Sequence, residues 1–250
     1  MAVDSQGKDD GVGQHAGRKL SPCDRCGARS QSFCAALKGQ EFQQLAAISS
    51  SRSFEPRTTI VQEGDAADSL LNIVSGTVKV FRALPDGRTQ VLGFLGEGDF
   101  MGMPPSNVYS VSAEAVTPVK VCNFPRHSFE RLLRDAPPLE RELFQRASSE
   151  IAEAHDHMLL LGRKTARERV ASFLVRMASR WSNTQSAVPS IELAMTRAEI
   201  ADYLGLTMET VSRTLTAFRG QNLISFDGPD RLQLSNLNRL QQLAAGDSPK

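Results

Sequence analysis

The stretch TRAEIADYLGLTMETVSRTLTAF, residues 196–218, decides how the C-terminal part of the chain folds. Thr196 followed by Glu199 has the spacing of a capping box, in which hydroxyl and carboxylate satisfy free backbone N–H groups at a helix start. Ile200, Tyr203 and Leu204 give that helix an apolar face, and Gly205 supplies a tight turn. Thr207 then caps a second helix, whose apolar Val211, Leu215 and Phe218 recur at i, i+4 and i+7. Two short helices across a glycine turn predict a helix-turn-helix. Its second helix exposes Glu209, Ser212 and Arg213 where a recognition helix meets base edges. Arg bridges O6 and N7 of guanine, Glu accepts from N4 of cytosine, and Ser reaches a thymine or a phosphate. Thr196, Arg197 and Thr207, at the helix starts, join them as candidate DNA contacts. Ordinary solvated helix residues would share this chemistry, but strands at 224–226 and 232–234 around an Asp-Gly-Pro-Asp turn predict a wing hairpin, which favours DNA.

Upstream of a helical pattern at 167–181 and a polar break at 182–186, Phe144, Ala147, Ile151, Ala154, Met158 and Leu161 recur in alternating steps of three and four. Such a narrow a/d stripe over roughly three heptads predicts a helix at 137–161 that pairs with a copy of itself. A helix packed on its own domain is the competing reading, disfavoured by the length and narrowness of the stripe. Acidic Glu140, Glu150 and Glu153 beside it would oppose association and leave a monomer–dimer balance open to a small shift. Further upstream, Gly64-Asp65, Ser75-Gly76, Asp86-Gly87 and Gly98-Asp99 punctuate short apolar runs between 53 and 123 at intervals of eleven or twelve. That rhythm predicts an antiparallel barrel or sandwich. Residues 1–20 hold almost nothing apolar to bury and read as a flexible tail.

The chain therefore divides into a tail at 1–20, a cysteine-bearing segment and barrel at 21–136, the dimerisation helix at 137–161, and a C-terminal domain at 162–250. The fold class is α+β. A net charge of +1 conceals an asymmetry: residues 161–219 carry nine Lys/Arg against five Asp/Glu, so a polyanion should meet the C-terminal part. No segment approaches the roughly 20 apolar residues of a membrane helix, and the first residues do not form a signal peptide. A cytoplasmic protein is expected, with no membrane partner. Its thiols would be kept reduced, so clustered cysteines read more readily as ligands than as structural disulfides. Three of the four, Cys23, Cys26 and Cys34, crowd into a dozen residues. The fourth, Cys122, sits in a Val-Lys-Val-Cys-Asn-Phe strand, where alternation turns it away from the face of Val119 and Val121.

The whole chain from about 23 to 243 resembles the Crp/Fnr family of bacterial transcription regulators. The resemblance is carried by GEGDFMGM (96–103), ERVASFLVRMASR (168–180) and MTRAEIADYLGLTMETVSR (195–213). It implies an N-terminal eight-stranded barrel of the cyclic-nucleotide-binding jelly-roll kind, a long dimerisation helix and a C-terminal winged helix-turn-helix. Glu209, Ser212 and Arg213 match the Glu-x-x-Ser-Arg of the Fnr branch, which implies a homodimer bound to two TTGAT-like half-sites of double-stranded DNA arranged as an inverted repeat. The branch also implies that Cys23, Cys26, Cys34 and Cys122 hold an oxygen-labile [4Fe-4S] cluster, and that the protein is a global activator of low-oxygen gene expression. The Cys26 to Cys34 interval is wider than in the best-known Fnr pattern. Pro85, Asp86 and Gly87 lie in a hairpin at the position where family members touch RNA polymerase. In the nucleotide-sensing branch a Gly-Glu and an Arg-Ser follow the GEGDF-type turn. Here two prolines and Ser-Asn-Val-Tyr-Ser stand instead, without the cation a buried phosphate needs, so no cyclic nucleotide is expected.

Other readings of the cysteines remain open. Four thiolates also suit a structural zinc ion, and paired thiols suit a redox switch. A c-type haem is disfavoured because Gly27, not His, follows Cys-x-x-Cys. A metal-dependent barrel enzyme would need inward-facing His and carboxylate ligands, and residues 53–123 offer no such set. His155 and His157 are two apart on a helix and do not share a face.

Overall fold

The computed structural model describes residues 22–181, 189–228 and 231–247. The tail at 1–20, the polar break at 182–186 and the second half of the wing turn at 229–230 lie outside the described residues. Three 3-10 turns, Pro22–Arg25, Gly27–Ser30 and Phe33–Ala36, lead into helix α1 (Gly39–Ile48). Eight strands follow: β1 (Ser50–Phe54), β2 (Thr59–Val61), β3 (Ser69–Ser75), β4 (Val78–Ala83), β5 (Thr89–Leu95), β6 (Phe100–Met101), β7 (Ser112–Ala115) and β8 (Val119–Pro125). They form two antiparallel four-stranded sheets, β1-β8-β3-β6 and β2-β7-β4-β5. The expected barrel is thus two facing sheets, with Ile60, Leu71, Ile73, Val78, Ala113, Val119 and Val121 buried between them.

Alternation along β8 does what its sequence requires. Val119 and Val121 enter the space between the sheets, while Cys122 and Phe124 emerge on the outer face. There a second core forms, built from the 3-10 turns, α1, helix α2 (Arg126–Asp135) and the start of helix α3 (Pro137–Arg163). Phe33 is its centre, fully buried, with Phe100, Phe124 and Phe129 each 5.5–5.7 Å away between ring centroids. Edge-to-face and tilted ring pairs of this kind add to the area they bury.

Helix α3 runs 27 residues, opening on prolines whose fixed φ suits a first turn. It runs through Gly162 to Arg163, just past the expected end at 161. Phe144, Ile151 and Met158 stand 73%, 59% and 61% exposed, and Ala147 and Ala154 are exposed between them. Leu161 departs from this stripe, since it is partly buried against the C-terminal core. Glu153 departs from its expected role as well: it pairs with Arg176 (with Nη2) and with Arg180 (3.1 Å) of helix α4 (Ala166–Trp181), so its charge is answered within the protomer.

The C-terminal domain continues with β9 (Ser190–Glu192), α5 (Arg197–Leu204), α6 (Met208–Gly220), β10 (Ser225–Phe226), β11 (Arg231–Gln233) and α7 (Leu237–Ala244). β10 and β11 pair as the wing hairpin, shorter than its sequence suggests, and β9 joins them as a third strand. This domain rests on the β4–β5 hairpin. Phe94 packs against Phe173 and Tyr203, Lys79 is 3.0 Å from both Glu114 and Glu199, and Gln90 donates to the Asp202 carbonyl (2.7 Å).

Candidate functional site

The helix-turn-helix is fixed by caps at both ends. The Thr196 hydroxyl accepts from the Glu199 amide (3.2 Å) and the Glu199 carboxylate accepts from the Thr196 amide (2.8 Å), completing the capping box. Burial opposes ionisation of Glu199, but the Thr196 amide and Lys79 outweigh it and hold the carboxyl below the usual carboxylate range. Gly205 ends α5 in the left-handed region at φ 60°, where a side chain would be strained. Thr207 caps α6 by accepting from the Thr210 amide (3.2 Å). Thr196→Ala is expected to lower domain stability by about 1 kcal/mol, read as a lower urea midpoint at unchanged slope.

Val211, Leu215 and Phe218 bury one face of α6, which leaves Glu209, Ser212 and Arg213 exposed on the other. Arg213 and Glu209 pair at 2.6 Å with side chains 79% and 70% exposed. A pair so open to water contributes little to stability. Thr196 and Thr207 are exposed but engaged as caps, and the Arg197 guanidinium lies over the Phe226 ring of the wing (5.4 Å). Arg197 therefore ties wing to helix. Sequence reading missed Arg169, which donates to the Leu204 and Gly205 carbonyls at the turn and to Leu161 and Lys164 carbonyls at the end of α3. One guanidinium thus fixes the turn to the long helix. Its place in the ERVASF run was the available signal.

The four cysteines are free thiols, and Cys23, Cys34 and Cys122 come from two distant segments to the core on the outer face of β8. Cys23 is buried and shares a contact with the Ser49 hydroxyl (3.4 Å). Cys34 caps no helix, but its amide donates to the Ser32 hydroxyl (3.3 Å). Burial pushes the Cys34 thiol up to about 11. Cys122 is also raised, first by its hydrogen bond with Cys23, then by burial and by the proximity of Cys23, Cys26 and Cys34. Loss of a proton here needs a cation to offset the charge. Among the described residues no three His, Cys, Asp or Glu side chains stand as a group that could hold a metal ion. His157 instead stacks on Tyr203 at 4.3 Å.

The Leu84–Arg88 turn is exposed, with Pro85, Asp86 and Gly87 at its tip and an Asp86–Arg88 ion pair (2.8 Å) across it. No helix among the described residues is long and apolar enough to cross a membrane.

Residues 51–136 match the cyclic nucleotide-binding domain model, and residues 168–243 match the Crp-like helix-turn-helix domain model. The transcriptional activatory protein AadR of Rhodopseudomonas palustris is 36% identical over 88% of this chain and 92% of its own length. The transcriptional activator protein FnrL of Cereibacter sphaeroides is 34% identical over 92% of this chain and 94% of its own. The chain belongs to the Crp/Fnr family. The structure of FixK2 from Bradyrhizobium japonicum superposes with a TM-score of 0.74 at 35% identity, covering 81% of this chain and 99% of that one. This Crp/Fnr chain is accordingly a DNA-binding transcription regulator of the activator kind, not an enzyme, and members of its family are typically dimers.

Proposed function

We propose that this regulator binds a TTGAT-type inverted repeat as a homodimer, under the control of a [4Fe-4S] cluster on Cys23, Cys26, Cys34 and Cys122, and activates genes for life at low oxygen. The carrying observation is that Cys23 and Cys34 of the 22–36 turns and Cys122 of β8, far apart in sequence, meet in one core, with Cys26 in the same run of turns. The donor set suits a cubane, in which each thiolate takes one iron. Four thiolates also suit a zinc ion, and metal analysis separates the two. When bound, the cluster supplies the sensitivity to oxygen. The chain's own part is to hold Cys23, Cys34 and Cys122 against the Phe33 core, with Cys23 and Ser49 anchoring one side.

A second copy fits the exposed Phe144–Ile151–Met158 stripe, since a contiguous apolar face of this kind marks an interface. Tyr109 supports a signal other than a cyclic nucleotide: it is buried and donates to the Ser69 carbonyl (3.0 Å), in the stretch where the nucleotide branch carries its phosphate ligands. RNA polymerase is the partner proposed for the Pro85–Gly87 tip. The Cys23–Cys122 hydrogen bond favours one alternative, a thiol pair that oxidises to a disulfide.

Anaerobic purification with iron and sulfide analysis tests the reading. About four irons and four sulfides per chain are expected, with a visible absorption band that air bleaches and that Cys122→Ser abolishes. A colourless protein with one zinc, or one in which air yields only a Cys23–Cys122 disulfide, would overturn the cluster.

A further inference from the structure

The turn from Gly96 to Asp99, between β5 and β6, is touched from opposite sides by two parts of the molecule that are far apart in sequence. On one side is the stretch between Cys26 and Cys34. At Gly98, φ +86°, an added Cβ would lie 2.8 Å from both the Gln31 carbonyl oxygen and its Cβ, so the two backbones are in direct contact. Arg146 of α3 clasps that contact: it donates to the Gln31 carbonyl (2.8 Å) and the Gly98 carbonyl (3.3 Å), and pairs with Glu142 (2.7 Å). On the other side is the end of α4, the first helix of the C-terminal domain. Arg180 donates both to Asp99 Oδ1 and to Oδ2 at 2.7 Å, and Trp181 packs so closely on Gly96 that a Cβ there would stand 2.6 Å from its Nε1.

The turn itself is stiff. Asp99 Oδ2 accepts from the Gly96 amide (2.8 Å), and Gly98 and Asp99 exchange backbone hydrogen bonds with Ile73 of β3 (3.0 and 2.8 Å). Beside it lies a cleft of about 370 Å3 lined by Asp99, Glu142, Arg146, Glu150, Glu153 and Arg180. Acid outnumbers base there, and burial together with the Asp99 and Glu153 charges pushes the Glu150 carboxyl up. Arg146 is held by Glu142 and Arg180 by Asp99 and Glu153, the last shared with Arg176. A shift of Arg146 takes its partner from Glu142, and a shift of Arg180 takes its partner from Asp99, so each guanidinium is tied to the turn.

We propose that the Gly96–Asp99 turn, with Arg146 and Arg180 on its two sides, relays the state of the cysteine segment to the DNA-binding domain within one protomer. The wide Cys26 to Cys34 interval serves this relay, because it is what brings Gln31 onto Gly98 and Arg146. Movement of the 27–33 span displaces Arg146 and the turn, and the turn carries Asp99 and hence Arg180 and Trp181. The route runs beside the dimer seam and does not pass through it. It deepens the sensor reading and rests on that reading only for the nature of the signal.

Coupling between two sites is reciprocal, and that gives the test. Hydrogen–deuterium exchange is measured on the full-length reduced protein and on Arg146→Gln, Asp99→Asn, Arg180→Gln and Lys79→Met. Arg146→Gln should speed exchange about fivefold at the amides of 178–181 as well as at Gln31 and Ser32. Arg180→Gln and Asp99→Asn should speed exchange at Gln31 and Ser32 by a similar factor. Lys79→Met, which cuts a different contact between the domains, should loosen α5 and leave Gln31 and Ser32 unchanged. Faster exchange confined to the neighbourhood of each substitution, or an equal effect of Lys79→Met on Gln31, would overturn the relay. Iron content is assayed on the same samples, so a failed cluster and a failed relay give different results.

Discussion

Arg213→Ala is expected to weaken binding to a TTGAT-type inverted repeat by about 30-fold or more. A bidentate Arg–guanine contact is worth about 1–3 kcal/mol of discrimination, and a dimer loses two, which makes about 2–6 kcal/mol and roughly 30- to 10⁴-fold. Little of that is regained elsewhere, because the Glu209–Arg213 pair is exposed and contributes little to the free protein. Fluorescence anisotropy titrations at fixed salt decide it, using the palindrome and a scrambled duplex. Loss confined to the palindrome identifies Arg213 as a reader of bases. Equal loss on both probes would make it a phosphate contact, and unchanged affinity would remove it from the interface.

Ile151→Glu is expected to leave a folded monomer and lower operator affinity about 10²- to 10⁴-fold. The side chain is 59% exposed within the protomer, so the change disturbs no internal packing. Across a two-fold seam it would set two carboxylates face to face in an apolar stripe. Each monomer then binds one half-site, and the gain from linking two binding events is lost. Sedimentation velocity gives the oligomeric state and anisotropy the affinity. A variant that remains a dimer with full affinity would place the seam elsewhere on the molecule.

Local chemistry was legible in the chain. The Thr196–Glu199 box, the Gly205 turn and the Thr207 cap are short-range patterns whose outcome depends on neighbours within four residues, and the structure has all three. The outward turn of Cys122 followed from strand period alone. Contacts between distant segments carried no such pattern. Arg180 and Asp99 are 81 residues apart, and Lys79 and Glu199 are 120 apart. Nothing periodic joins them, so a charge count over 161–219 includes Arg180 without revealing that the fold turns it toward Asp99. The 22–36 turns were equally silent, since turns of four residues have no repeat to detect. Leu161 followed the a/d spacing but not the surface, because the heptad rule does not include the domain packed beyond the helix end.

The separation between the two cores of the N-terminal half has an evolutionary reading. Phe33, Phe129 and the thiols pack on the outside of a sheet whose inner face is sealed by Val119, Val121 and their neighbours. Chemistry attached to the exterior can be exchanged without repacking the interior. Residues 22–48 thus behave as an appliance bolted to a finished chassis. A chimera that grafts a different N-terminal segment onto the same outer face, keeping Phe124 and Phe129 as its seat, is the natural way to give this scaffold a new sense.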